Sequence, residues 1–144
     1  MSTVKIVSLV TPDQWREAYP VMKHLRTHLD EDAFLTLVEQ AQENDHYQLA
    51  ALYYEEEVVA VIGYMPMVTL YNGRFIWVCD LVTKPEVRSQ GFGEQLLSHV
   101  EQWAKEQGFN KISLSSGLQR VDAHRFYEKK MDYRKVSYVF LKDL

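Results

Sequence analysis

Within TKPEVRSQGFGEQLLSHVEQWA, residues 83–104, an arginine and two glycines, Arg88, Gly91 and Gly93, stand directly ahead of a long helical pattern. The first amides of a helix have no intrahelical partner, and the helix dipole adds about half a positive charge there, so a phosphate is stabilised at such an end. Without a Cβ, Gly91 and Gly93 let a bulky diphosphate approach the backbone and tolerate positive φ. Arg88 is placed to add a charge-assisted bond to a phosphate oxygen. The plainer alternative is an ordinary helix start beside a surface arginine.

Two nucleotide signatures fail at this turn. A P-loop needs glycine, lysine and serine or threonine from the sixth position on, and a dinucleotide turn needs its third glycine there; Leu96 occupies that position. Upstream, the strand-like run 74–83 places Ile76, Val78, Asp80 and Val82 on one face by period-two alternation, so Asp80 is a carboxylate among apolar neighbours. Downstream, Tyr127 follows Ala123 by four residues and shares a helix face with it. The bland alternatives are a sheet-end carboxylate bonded to a neighbouring loop, or one that attracts a cation, and a core tyrosine with a satisfied hydroxyl.

The elements that must position these residues read as follows. VKIVSLV (4–10) is a strand; Thr11, Pro12 and Gln14 form a capping box and open a helix to about Leu29, with a second helix across 31–43. Two strands, about 46–54 and 57–67, form a hairpin with Glu55 and Glu56 at its tip, and the turn Tyr71-Asn72-Gly73 leads into the strand 74–83. Phe92, Leu96, Val100, Trp103 and Ala104 recur at spacings of three and four, with Gly108 at the C-terminal cap. A strand 111–116, a helix 119–130 and a strand 133–141 complete the order β-α-α-β-β-β-α-β-α-β, an α/β fold with a mixed sheet and a right-handed parallel crossover over 74–116. No repeat or linker divides the chain, and we expect a single domain over 1–144.

Arg88-Ser89-Gln90-Gly91-Phe92-Gly93 resembles the coenzyme A turn of the GNAT superfamily of N-acetyltransferases, [QR]-x-x-G-x-[GA]. The element order resembles that fold over nearly the whole chain, and AHRFYEKK (123–130) resembles the family's later motif of an alanine ahead of an aromatic-tyrosine pair. The resemblance implies acetyl-CoA as cosubstrate, its pyrophosphate cradled by amides from Gln90 through Glu94, and its pantetheine arm running along Leu81, Val82 and Thr83. It implies Tyr127 as general acid toward the leaving thiolate and, as in some members, Asp80 as the base. An alkyl amine titrates near ~10.4 and must lose a proton before it attacks, so Asp80, or a water it orders, would serve. Backbone amides of Leu81 or Val82 are candidates for the oxyanion. Arg120 stands where many members carry asparagine; it would reach phosphate or leave the cofactor alone, and Ser115 and Ser116 would contact the arm. Asp132 precedes Tyr133 where the family usually has glycine before an aromatic, which keeps a left-handed cap at some cost.

The chain has 144 residues and a formal charge of -4, which argues against nucleic acid and anionic lipid as general partners, and no run approaches the ~18 apolar residues of a membrane span. One cysteine, Cys79, excludes an internal disulfide and fits a reducing, cytoplasmic setting; it reads as a small buried hydrophobe rather than a nucleophile, for no histidine partner adjoins it. His24 and His28 lie at i and i+4, a metal-gripping spacing without a third ligand, so no metal is expected. The acceptor reads as a small primary amine, with a protein lysine or N-terminus as the enzyme alternative and a non-catalytic acyl-CoA sensor as the rival of another class. A homodimer that completes the acceptor groove stands among the partners to test.

Overall fold

The computed structural model describes residues 3–144, which divide into one compact unit ending at Ser113 and a second, Leu114–Leu144. The first unit opens with strand β1 (Val4–Leu9) and helices α1 (Pro12–Met22) and α2 (Glu31–Asp45). The capping box forms as expected: the Gln14 amide donates to Thr11 Oγ1 at 3.3 Å, and the Thr11 amide donates to Gln14 Oε1 at 3.1 Å. The expected helix to Leu29 instead ends at Met22, two residues after the internal Pro20, which removes one rung of the helical ladder. Residues 23–29 become a loop, pinned where the Tyr19 hydroxyl donates to the Leu29 carbonyl at 2.8 Å. His24 and His28 therefore no longer share a helix face.

Strands β2 (Gln48–Tyr54) and β3 (Glu57–Thr69) pair antiparallel through a two-residue tip, and β4 (Gly73–Thr83) returns along β3. Both tip residues, Glu55 and Glu56, take positive φ, 51° and 68°, the backbone that a tight hairpin of right-handed twist demands. With β5 (Ile112–Leu114), shorter than the expected 111–116, the strands form a five-stranded mixed sheet in the order β1-β2-β3-β4-β5. The sheet's core follows from alternation. Leu49, Ala51, Val61 and Val82 pack with Trp15, Ala18, Phe34 and Val38 of the first two helices. Residues of the opposite parity meet helix α3 (Phe92–Glu106), as the ring contacts Tyr54 to Phe92 and Tyr64 to Trp103 show.

Helix α3 buries Phe92, Leu96, Val100 and Ala104 of the expected stripe and adds Leu97, while Trp103 is only partly buried. It closes on Gly108 at φ 88°, with the Phe109 amide donating to the Ala104 carbonyl and the Gly108 amide to the Lys105 carbonyl, a Schellman cap. Truncating Leu96, fully buried, would cost about 2–5 kcal/mol.

The second unit holds a short helix α4 (Val121–Arg125) that widens into a π turn at Phe126–Lys130, so the expected helix 119–130 is present in altered form. Asp132 takes φ 63°, and the Tyr133 amide donates to the Tyr127 carbonyl at 2.8 Å, so the left-handed cap survives without glycine. The last expected strand, 133–141, does not form. Its alternation is real, yet Val136, Tyr138 and Phe140 are exposed, and a strand without a ladder partner has no reason to hold its shape. Among the described residues no helix is long and apolar enough to cross a membrane.

Candidate active site

The register of β3 against β4 slips at one point: Gly63 faces Asp80, while the next residue, Tyr64, faces Val78. Cys79 is thus the extra residue of a β-bulge, and the alternation expected along 74–83 breaks there. Ile76 and Val78 lie opposite Pro66 and Tyr64 on the α3 side; Cys79, Asp80 and Val82 lie on the side of α1 and α2. The expectation that all four share one face is corrected by this bulge, which turns Asp80 toward the first two helices.

There Asp80 is not a carboxylate among apolar groups alone. Arg26, from the loop after α1, donates through Nε to Asp80 Oδ1 at 2.8 Å and through Nη2 to the Cys79 carbonyl at 2.8 Å. Tyr47 donates its hydroxyl to Asp80 Oδ2 at 2.7 Å. The alternative of a carboxylate bonded to a neighbouring loop is therefore realised, and two of its roughly four lone-pair positions remain for another donor. Burial, reinforced by the Asp80 charge, holds the Tyr47 hydroxyl well above the usual range, so it stays a donor. Gly63 completes the arrangement: a Cβ there would strike the Tyr47 ring and hydroxyl and come within 2.8 Å of Asp80 Oδ2.

Arg26, Tyr47 and Asp80 line a pocket of about 410 Å³, to which α1, α2, the loop between them and β3 also contribute. Cys79 borders the same pocket. Burial, and then the Asp80 charge, pushes its thiol up to about 12, so only about one in 10⁵ is thiolate at neutral pH.

Of the other expected residues in the first unit, Leu81 and Val82 sit opposite Ile62 and Val61, and Thr83 opposite Ala60, at the end of β4. On the other edge of β4 the Ile76 amide donates to the Lys111 carbonyl at 3.0 Å, and β5 is only three residues long against eleven in β4. Ser89 and Gly91 both take positive φ, 68° and 85°, and Gly91 caps α3 without any side-chain cap on the first-turn amides. Gly93 lies within that first turn and needs no positive φ. A Cβ on Gly91 would meet no heavy atom within 4 Å, so the space before the turn is clear; Arg88 is exposed beside it. Uncapped amides, a clear approach and a nearby guanidinium are the donor set that a diphosphate requires.

Tyr127, Ser115 and Arg120 belong to the second unit. Tyr127 is buried against Phe126 and Tyr133, and burial raises its phenol above the ordinary value, with Arg120 pulling weakly the other way. Arg120 precedes α4 as its N-cap residue. Ser115 is exposed, whereas the Ser116 hydroxyl is buried and has no hydrogen-bond partner among the described residues.

Sequence reading missed Arg26, Tyr47 and Gly63. An isolated glycine inside a strand pattern signals a bulge or a close approach, and Gly63 was that signal.

A model of the acetyltransferase (GNAT) family matches residues 11–133. The chain is 41% identical over 139 residues to the uncharacterized N-acetyltransferase YhdJ of Bacillus subtilis, covering 96% of this chain and 98% of that protein. It is 35% identical over 102 residues to the aminoalkylphosphonate N-acetyltransferase of Salmonella typhimurium, 70% of this chain and 64% of that one. Among solved structures, the aminoglycoside N-acetyltransferase AAC(6')-Iy in complex with CoA superposes with TM-score 0.86 at 14% identity, over 100% of this chain and 96% of the other, a likeness of fold.

Proposed function

Because the chain belongs to the GNAT family of acetyltransferases, we propose that it carries the acetyl group of acetyl-CoA to the primary amine of a small molecule by direct attack in a ternary complex. The observation that carries this reading is Asp80, turned by the bulge at Cys79 into a pocket of small-molecule size. The family match spans both compact units, which supports their working as one domain over 1–144.

In this reading the amides from Gln90 through Glu94 hold the pyrophosphate, with Arg88 on a phosphate oxygen, and the edge of β4 at Leu81, Val82 and Thr83 takes the pantetheine arm as an added strand. The short reach of β5 and the uncapped start of α3 support that assignment. Ser115 and Arg120 are the second unit's candidates for further contact with the donor.

The amine enters as an ammonium and gives a proton to Asp80 or to a water it orders; its lone pair then attacks the thioester carbonyl. The oxyanion takes a hydrogen bond from the Leu81 or Val82 amide. As the intermediate collapses, the carbon-sulfur bond breaks and Tyr127 gives its proton to the departing thiolate, while the attacking nitrogen sheds its second proton to solvent, from which the Tyr127 phenolate is reprotonated. A buried phenol raised above its ordinary value remains protonated at neutral pH, which suits a donor. The Cys79 thiol, protonated throughout that range, supports transfer without an acyl-enzyme.

The small acceptor in the name of the 35% identical relative, an aminoalkylphosphonate, favours a small amine over a protein lysine or N-terminus. Thiol release from acetyl-CoA across a panel of amines and peptides is the test. Tyr127→Phe and Asp80→Asn should lower kcat while CoA affinity holds, and Gly91→Glu should abolish CoA binding. A chain that binds CoA but accelerates with no acceptor would be a sensor, and an unchanged CoA affinity in Gly91→Glu would remove the pyrophosphate assignment.

A further inference from the structure

We infer that the acceptor is a primary amine on a hydrocarbon or aromatic body, seated in the pocket between α2 and the sheet with its nitrogen at Asp80. The inference rests on the acetyl-transfer reading for the nitrogen's fate, and on the pocket alone for the body. Apolar side chains that line the pocket include Leu29, Phe34, Leu37, Val38, Ala41 and Met65. Leu37 is 48% exposed at this wall, an apolar side chain that water covers until something else does. The volume of about 410 Å³ is that of about fourteen waters at ~30 Å³ each, room for one ring and a short chain.

The polar groups on the wall are largely committed to one another. Arg26 and Asp80 cancel in charge, Tyr47 gives its only hydroxyl proton to Asp80, and the Cys79 thiol and His28 are the other titratable side chains that line it. A polyhydroxylated aminosugar would bury several hydroxyls against carbon, each without a partner and each unfavourable. A phosphonate would place a second, uncompensated anion where the guanidinium is already neutralised. An ammonium finds what it needs, because the Asp80 carboxylate keeps lone pairs free, and an apolar body gains by displacing water from the walls.

The test uses the full chain and three amines: phenethylamine, aminoethylphosphonate and an aminoglycoside. Thiol release from acetyl-CoA should be faster with phenethylamine, by at least about tenfold in kcat/KM. Leu37→Lys, a change at a half-exposed position, should weaken phenethylamine binding by calorimetry about tenfold while CoA affinity stays put. Equal or better turnover of the phosphonate or the aminoglycoside overturns the inference, as does phenethylamine that fails to bind or binds Leu37→Lys unchanged. Phenethylamine that binds, weakens in Leu37→Lys, and yet releases no thiol upholds the apolar pocket and instead overturns acetyl transfer.

Discussion

Gly63 lies directly across the β3–β4 ladder from Asp80, and the side chain it lacks is the space in which Tyr47 reaches the carboxylate. The bulge aims Asp80, the glycine clears room, and the tyrosine fills it, so three separate stretches of chain meet at one oxygen. Gly63→Ala should therefore displace Tyr47 rather than merely stiffen a strand. Overpacking of this kind costs about 1–3 kcal/mol, and a urea unfolding midpoint that does not fall would show that the ring has other room. Tyr47→Phe combined with Gly63→Ala should recover part of the loss, since the hydroxyl meets the new methyl most closely.

Arg26 spans two acceptors at once, Asp80 Oδ1 and the carbonyl of the bulged Cys79, through two different nitrogens. A lysine is a single point donor without that fork, so Arg26→Lys should behave as a loss and not as a conservative change. The guanidinium side chain is 39% exposed, so solvent screening limits the stability effect to about 1 kcal/mol. The sharper readout is kinetic: an Asp80 no longer held by the guanidinium fork should lower kcat with a good acceptor. An unchanged kcat in Arg26→Lys would confine Arg26 to holding the loop.

These relations explain what the sequence could and could not disclose. The strands of the β2–β3–β4 meander, the capping box at Thr11 and the stripe of α3 were legible because each depends on neighbours within a few residues. The glycine turn was legible for the same reason, as Gly91 and its helix start are local. Arg26 was hidden because it meets Asp80 across 54 residues, from a loop that periodicity had assigned to a helix. The bulge was hidden because one unpaired residue leaves no mark on composition, yet it reverses the face of every position before it. The C-terminal run 133–141 misled in the other direction: alternation describes a strand's surface but not the partner that makes it one.

Glu55 and Glu56 both hold left-handed backbone at the β2–β3 tip, where β-turn chemistry favours asparagine followed by glycine. Glu55→Asn with Glu56→Gly should relieve that conformation and stabilise the chain by about 1 kcal/mol, seen as a higher urea midpoint. Lys84 bonds Glu57 rather than either tip residue, so no ion pair to it is sacrificed. A lower midpoint would mean that the tip glutamates make contacts that offset their backbone cost.

Cys79 and Tyr47 both contribute to the alkaline limit of the fold, beside Tyr53, Tyr64 and Tyr127, whose phenols burial also raises. Burial, and then the Asp80 charge, pushes the Cys79 thiol up to about 12 from its ordinary 9.0, and the same two causes raise Tyr47 well above its ordinary 10.0. Both groups keep their protons in the folded chain after the unfolded chain has released them. The folded state then binds more protons than the unfolded one, so stability falls with rising pH, from about pH 9 for the thiol and about pH 10 for the phenol. Well below about pH 8.5 neither contributes an appreciable slope. Urea midpoints should be level between about pH 7 and 8.5 and drop steadily above it, and Cys79→Ala should flatten the first part of that drop while leaving the part due to the raised phenols. A variant that loses stability with pH as steeply as wild type from about pH 9 would show that the thiol is not held protonated by the fold. Its slow alkylation by iodoacetamide at neutral pH is the companion measurement, since the thiolate is the reacting form.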